Sequence, residues 1–263
     1  MKCDVVRGSH LDLFDRCQLA YRYTVHDGRV PDIKVPRWAM LGWTMHKTFE
    51  TAIETGADPK KLFIDNLRSY RELARAEWAS SYPNVPILDS EIPSVPERDI
   101  MRAMDMLRNF NKFRSFIDDA DSRETEIAFR IALDQEGTIV LKGRIDLVLR
   151  YGDLLKIVDY KSSKPGWEHS SVPPQLLRYA IALAITKDLP ISKIETILFN
   201  LQSGNVLRRT WSAEEANGLI AQIVRRVEFI RSVHPDRATA TVGSHCDTLC
   251  QYRHSCPARR AVP

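Results

Sequence analysis

A chain of 263 residues with 44% hydrophobic and 27% charged content can bury a sizeable core, which excludes wholesale disorder. Its formal charge of +4 and pI near 8.8 are compatible with a nucleic-acid partner without pointing to one. No apolar run approaches the length of a membrane span and no Gly-x4-Gly-Lys-[Ser/Thr] phosphate loop is present, so neither a membrane partner nor ATP-driven motor activity is expected.

Hydrophobic periodicity predicts helices over about 9–24 and 38–56, with Ser9-His-Leu-Asp12 reading as a capping box for the first. Two amphipathic helices follow, over about 59–80 and 96–118, separated by a proline-rich loop. Strands dominate about 126–161, with Glu126 opening the first of them. A helix over about 173–187 comes next, then a strand pair, 194–201 and 206–211, around Ser203-Gly204. Residues 212–233 read as a long helix with glutamates in its first turn and arginines later.

Two of the predicted strands carry the chemistry. Gly152 and Asp153 lie between Thr138 to Tyr151 and Leu154 to Lys161, a hairpin signal. If those two residues are the loop, Asp146 faces Asp159, with Cβ atoms roughly 5 Å apart. Like charges facing each other destabilise a sheet, so the pair calls for something to offset the repulsion. A divalent cation does so, and hard oxygen ligands suit Mg²⁺ and Mn²⁺. Lys161 lies two residues beyond Asp159 and projects from the same face, where an ammonium can orient water or stabilise charge on a phosphate. The plainer alternative is an Asp159–Lys161 ion pair, with Asp146 unrelated to it.

Gly143-Arg-Ile-Asp146, Val158-Asp-Tyr-Lys-Ser162 and Gln175-Leu-Leu-Arg-Tyr179 resemble, in that order, the successive motifs of RecB-like nucleases in the PD-(D/E)XK superfamily. The resemblance implies an α/β fold with a PD-(D/E)XK restriction-endonuclease-like core: a mixed central sheet flanked by helices, with a helical N-terminal insertion. It also implies catalytic roles for Asp146, Asp159 and Lys161. Gln175 and Tyr179, spaced to share one helix face, would lie beside the substrate. Gly42-Trp-Thr-Met-His46 is similar to a Gly-x3-His segment of the family. By that likeness, His46, Asp146, Asp159 and the Tyr160 backbone carbonyl would hold Mg²⁺ or Mn²⁺, imidazole favouring the latter. Glu50 shares the face of His46 and could support it, and Glu126 resembles a glutamate often found there in the family.

Cysteine spacing adds a second line. Cys246, Cys250 and Cys256 form Cys-x3-Cys-x5-Cys, and no secretory h-region opens the sequence, so reduced, metal-binding thiolates in a cytoplasmic setting are expected. Cys17 is the natural fourth ligand, whereas Cys3 is left over. The pattern resembles the iron-sulfur branch of the RecB-like nucleases, in which one upstream cysteine and three near the C-terminus hold a 4Fe-4S cluster. Such a cluster would be a clasp joining the termini. The branch spaces its first two C-terminal cysteines as Cys-x2-Cys, so zinc, with His245 or His254 as substitute ligands, stays open as an alternative.

The resemblance as a whole implies one nuclease domain over 1–263. Within it, 1–37 is an N-terminal segment with the first cluster cysteine, 38–120 a helical region, 121–233 the nuclease core and 234–263 the cluster segment. The implied activity is metal-dependent exonucleolytic cleavage of DNA, on single-stranded ends, similar to that of CRISPR-associated RecB-like exonucleases. A helicase or a recombination or CRISPR adaptation partner would act in trans. Two alternatives remain: a non-catalytic DNA-binding or scaffold protein of RecB-like shape, and a structure- or site-selective endonuclease such as a prespacer processor. Trp43, Trp78, Trp167 and Tyr179 are candidates for stacking on bases.

Overall fold

The computed structural model describes residues 4–162 and 173–260. Short strand β1 (Asp4–Arg7) leads into α1 (Gly8–Arg16) and a single turn, α2 (Gln18–Tyr21). Helices α3 (Arg37–Thr55), α4 (Pro59–Arg68), α5 (Tyr70–Ser81) and α6 (Glu97–Asp118) follow. Strands β2 (Ser122–Ala132), β3 (Ile139–Tyr151) and β4 (Leu154–Lys161) precede α7 (Pro174–Lys187). The chain continues through β5 (Ile194–Asn200), β6 (Val206–Thr210), α8 (Ala213–Ser232) and the short helices α9 (His245–Thr248) and α10 (Pro257–Arg260).

The β3–β4 hairpin turns at Gly152, whose φ of 57° is a left-handed conformation that glycine adopts without strain. Its register is the predicted one from Tyr151↔Leu154 to Leu147↔Val158, but the pairing ends there, one step short of the expected Asp146–Asp159 pair. Strand β5 adds to β4 in parallel and β6 to β5 antiparallel, so the sheet is mixed. Helices cover both faces. Phe49 of α3 and Phe110 of α6 stack at 4.1 Å over Leu147, Leu149, Val158 and Tyr160. On the other face, Leu176, Leu177, Ala180 and Ile181 of α7 pack against Val148, Leu155 and Ile157. Alternation along β4, with Leu155 and Ile157 on one side and Val158 and Tyr160 on the other, assigns each residue its layer. Phe49 has no exposed surface, and truncating it to alanine would cost about 3–5 kcal/mol.

Four expectations need correcting. The helix expected over 9–24 starts at Gly8 without a side-chain cap and breaks at Cys17, which is extended at φ −163° and ψ 109°. The break lets the Leu19 N–H reach the carbonyl of Thr239, tying the segment to the C-terminal region. The helix expected over 59–80 divides at Ser69, whose hydroxyl bonds back to the carbonyls of Asp65 and Asn66 and competes with helix continuation. Strand β2 begins at Ser122, so Glu126 lies inside it and does not open it. Finally, β1 had no sequence signal, because four residues carry too little alternation to register.

Candidate metal centre

Strand β3 is long enough to hold three partners. Antiparallel β2 follows one edge over 140–150, while the other edge takes parallel β1 at Ile139–Lys142 and then β4 from Leu147 onward. Positions 143–146 of that second edge pair with neither strand, and Asp146 stands in this gap. Across the first edge the ladder skips a step: Thr125↔Leu147 and Ile127↔Ile145 pair, but Glu126, which faces Asp146, does not. Glu126 has φ 50°, a left-handed backbone that is strained for a residue with a side chain. Leu141 and Ile145 pack on the α7 side, whereas Leu147 and Leu149 pack on the α3 and α6 side. The period-two alternation therefore switches faces at Asp146, which a regular strand cannot do.

This irregularity gathers the polar groups. Ligand atoms of His46, Glu126 and Asp146 all lie within 4.8 Å of one another, the only such group among the described residues. His46 Nδ1 is 3.8 Å from Asp146 Oδ1, Tyr160 N–H donates to Asp146 Oδ2 at 3.1 Å, and Arg144 donates to Glu126 at 3.0 Å. Burial, followed by the Asp159 carboxylate, pushes the Asp146 carboxyl up to about 6. Asp159 itself is 1% exposed. Its Oδ2 meets the Lys161 ammonium at 2.8 Å as an ion pair but accepts no well-aligned hydrogen bond. Burial works against the Lys161 charge, yet Asp159 holds its pKa above the ordinary lysine range. Lys161 donates to Gln175 Oε1 at 3.2 Å, and Gln175 Nε2 donates to Tyr179 Oη at 2.5 Å.

The sequence-derived residues thus fall into two adjoining groups. His46 and Asp146 converge with Glu126, while Asp159, Lys161, Gln175 and Tyr179 form a chain of contacts leading onto α7. The Asp159–Lys161 ion pair exists alongside the carboxylate cluster. Glu50 pairs with Lys47 at 2.8 Å and also lies in the field of Arg144, the partner of Glu126, whereas Trp78 is buried with its Nε1 donating to Val85 O at 2.6 Å. Trp167 lies outside the described residues. Glu126 entered the sequence reading only through its family resemblance, because β2 was started too late for its place opposite Asp146 to be read. Its signal was available in the β2–β3 register, where Phe129 faces Gly143 and Glu126 therefore faces Asp146. Gly143 has its own reason: a Cβ there would meet the Phe129 ring at 2.5 Å, and that ring packs edge-on to Tyr179 at 6.0 Å.

These donors fit a divalent metal. A buried carboxyl whose charge is disfavoured, a second carboxylate at Glu126 and an imidazole, with ligand atoms within 4.8 Å of one another, offer the hard and borderline ligands that Mg²⁺ and Mn²⁺ accept.

The four cysteines of the predicted clasp are free thiols, Cys17 buried and the other three half-buried. Burial raises the Cys250 pKa, and Cys246, Cys17 and Cys256 each add to the rise, so the four lie in one another's field. Cys246 belongs to the turn α9 and Cys250 lies just past its C-cap Leu249, which is how the three-residue spacing is accommodated. Cys3 lies outside the described residues.

A family model for the PD-(D/E)XK nuclease superfamily matches residues 8–257. No match to a curated protein was found. Among solved structures, a candidate exonuclease from Eubacterium rectale aligns at 12% identity and a TM-score of 0.49, covering 98% of this chain and 87% of that one. The crystal structure of SSO0001 aligns at 14% identity and a TM-score of 0.38, covering 74% of this chain and 81% of the other.

Proposed function

Because the chain belongs to the PD-(D/E)XK nuclease superfamily, we propose that it is a metal-dependent deoxyribonuclease of the RecB-like iron-sulfur branch, acting as an exonuclease on single-stranded DNA ends. The observation that carries the reading is the convergence of His46, Glu126 and Asp146 beside the Asp159–Lys161 pair. His46, Asp146, Asp159 and the Tyr160 carbonyl would hold Mg²⁺ or Mn²⁺, with Glu126 added to the set. When bound, the ion supplies Lewis acidity toward the scissile phosphate and lowers the pKa of a coordinated water.

The remaining work belongs to the chain's own side chains. Tyr160 N–H fixes the Asp146 carboxylate. Lys161, kept protonated by Asp159, presents positive charge to the phosphate and holds the attacking water. Gln175 sets the position of the Lys161 ammonium, and Tyr179 sets that of Gln175. Cys17, Cys246, Cys250 and Cys256 would hold a 4Fe-4S cluster. No helix among the described residues is long and apolar enough to cross a membrane. Any unwinding would come from a partner in trans.

The test is an assay with Mg²⁺ or Mn²⁺ on single- and double-stranded DNA labelled separately at each end. Stepwise shortening from one labelled end of single strands is expected, with loss of at least about a hundredfold in Asp146→Ala and Lys161→Ala. Cleavage persisting in both purified, folded variants would sink the assignment.

A further inference from the structure

Arg7, Lys142 and Arg130 stand in one row across three adjacent strands. Arg7 of β1 faces Lys142 of β3, and Lys142 faces Arg130 of β2. Directly paired residues project from the same side of a sheet, and like charges so placed destabilise it. None of the three has an ion pair or a side-chain hydrogen bond among the described residues, although most other arginines of this sheet, such as Arg123, Arg144 and Arg209, have a carboxylate partner. An unneutralised row of three cations in register repeats, with opposite sign, the puzzle of the facing carboxylates. It calls for a polyanion with closely spaced charges.

The row lines a cavity of about 580 Å³ together with Ser80 and Ser81 at the end of α5 and with two carboxylates, Asp12, which is paired with Arg178, and Glu77. Gln175 and Tyr179, which position Lys161, line the same cavity. From Lys142 to Asp146 is four residues of strand, about 13 Å. That is a few nucleotides along a strand. The same field is felt by His10, whose imidazole is pushed down to about 4 by burial, with Arg7 and Lys142 adding to the effect.

We propose that Arg7, Lys142 and Arg130 form a phosphate-binding rail that holds one strand of the nucleic-acid substrate a few nucleotides from the cleavage site. The inference rests on the nuclease reading for the identity of the anion, and binding tests it without turnover.

Affinity of the full chain for a single-stranded deoxyoligonucleotide would be measured in EDTA across a salt series. Three phosphate contacts contribute about 2 to the slope of log affinity against log salt. The Arg7→Gln/Arg130→Gln/Lys142→Gln variant should lose that much, so that between about 50 and about 200 mM salt the wild type weakens about twentyfold more than the variant. Lys142→Gln alone, which removes only the central cation and serves if the triple variant does not fold, should lower the slope by about 0.7. A Lys60→Gln/Lys193→Gln/Arg225→Gln variant removes the same charge from exposed positions outside the cavity and should keep the wild-type slope. A wild-type slope in both rail variants, or an equal loss in the control, overturns the rail. Mn²⁺-dependent hydrolysis of bis(p-nitrophenyl) phosphate by the wild type separates the two readings. Rail-dependent binding without that hydrolysis leaves the rail standing and removes the nuclease assignment; hydrolysis with rail-independent binding does the reverse.

Discussion

Asp146 is a carboxylate whose charge the fold disfavours, and that has a consequence for stability. Its folded pKa of about 6 lies above the ordinary value, so between these two the native state binds the extra proton. Its contribution is therefore present at low pH and lost as pH rises through about 6. His10 acts in the opposite sense, since its folded pKa of about 4 lies below the usual imidazole value and favours the folded state at higher pH. The Asp146 contribution is accordingly read as a difference: in EDTA, wild type minus Asp146→Asn should fall by about 1–1.5 kcal/mol from about pH 5 to about pH 8 in urea unfolding. Added Mn²⁺ should restore the wild type and leave Asp146→Asn unchanged. A pH-independent difference would show that the carboxyl is not disfavoured. Gly143 offers a second test. Gly143→Ala must displace the Phe129 ring, so a loss of about 1–3 kcal/mol in stability is expected, with a further loss of cleavage through Tyr179. The side of β4 that carries Asp159 and Lys161 was legible because a two-residue turn sets the hairpin register, whereas the ladder ends at Leu147↔Val158, one step before Asp146. Glu126 was legible only through the family resemblance, because no local pattern announces its strained φ.

At the scale of elements, legibility follows how much each one owes to its own residues. Helix α8 was read to within a residue, and its start is a capping box in which Ser212 accepts from Glu215 N–H at 3.1 Å while Glu215 accepts from Ser212 N–H at 2.9 Å. Ser212→Ala should cost about 1 kcal/mol in denaturant unfolding, and no loss would mean that the cap is satisfied by water. Helix α4 has the same local logic, with Asp58 capping Lys60 N–H and Pro59 at the first position. Where long-range contacts decide, the sequence reading failed. Cys17 breaks a helix-periodic stretch because the chain is drawn to Thr239, a residue far away in sequence. Strand β1 exists only as a neighbour of β3, yet its placement beside Lys142 completes the row of cations. Tertiary context overrode propensity at both sites.

At the scale of the whole molecule, the two ends of the chain meet through few apolar contacts. Cys17, Ala20 and Tyr252 form a small buried cluster there. Tyr23 packs edge-on to Tyr252 at 5.3 Å, and polar contacts add to it: Thr24 Oγ1 meets Tyr252 Oη at 3.0 Å, Ile33 N–H reaches Gln251 O at 3.1 Å, and Asp32 Oδ2 accepts from the N–H groups of His254 and Ser255 at 2.9 and 2.8 Å. Such a region has little apolar burial of its own and belongs to the low-stability end of a fold unless something else ties it down. The mixed sheet and its two helical layers do not depend on it, since their clusters draw on neither end's cysteines. A four-cysteine cluster would therefore act locally, stabilising the clasp by binding only its folded form. Cys17→Ser is expected to abolish bound iron and to open the stretch from Thr239 to Cys256 to proteolysis. Amide protection in β3, β4 and α7 should stay at the wild-type level. Limited proteolysis with mass spectrometry and hydrogen exchange would check both halves. Loss of protection throughout the sheet would mean that the clasp is part of the folding core, and an undisturbed C-terminal segment would mean that the cysteines hold nothing.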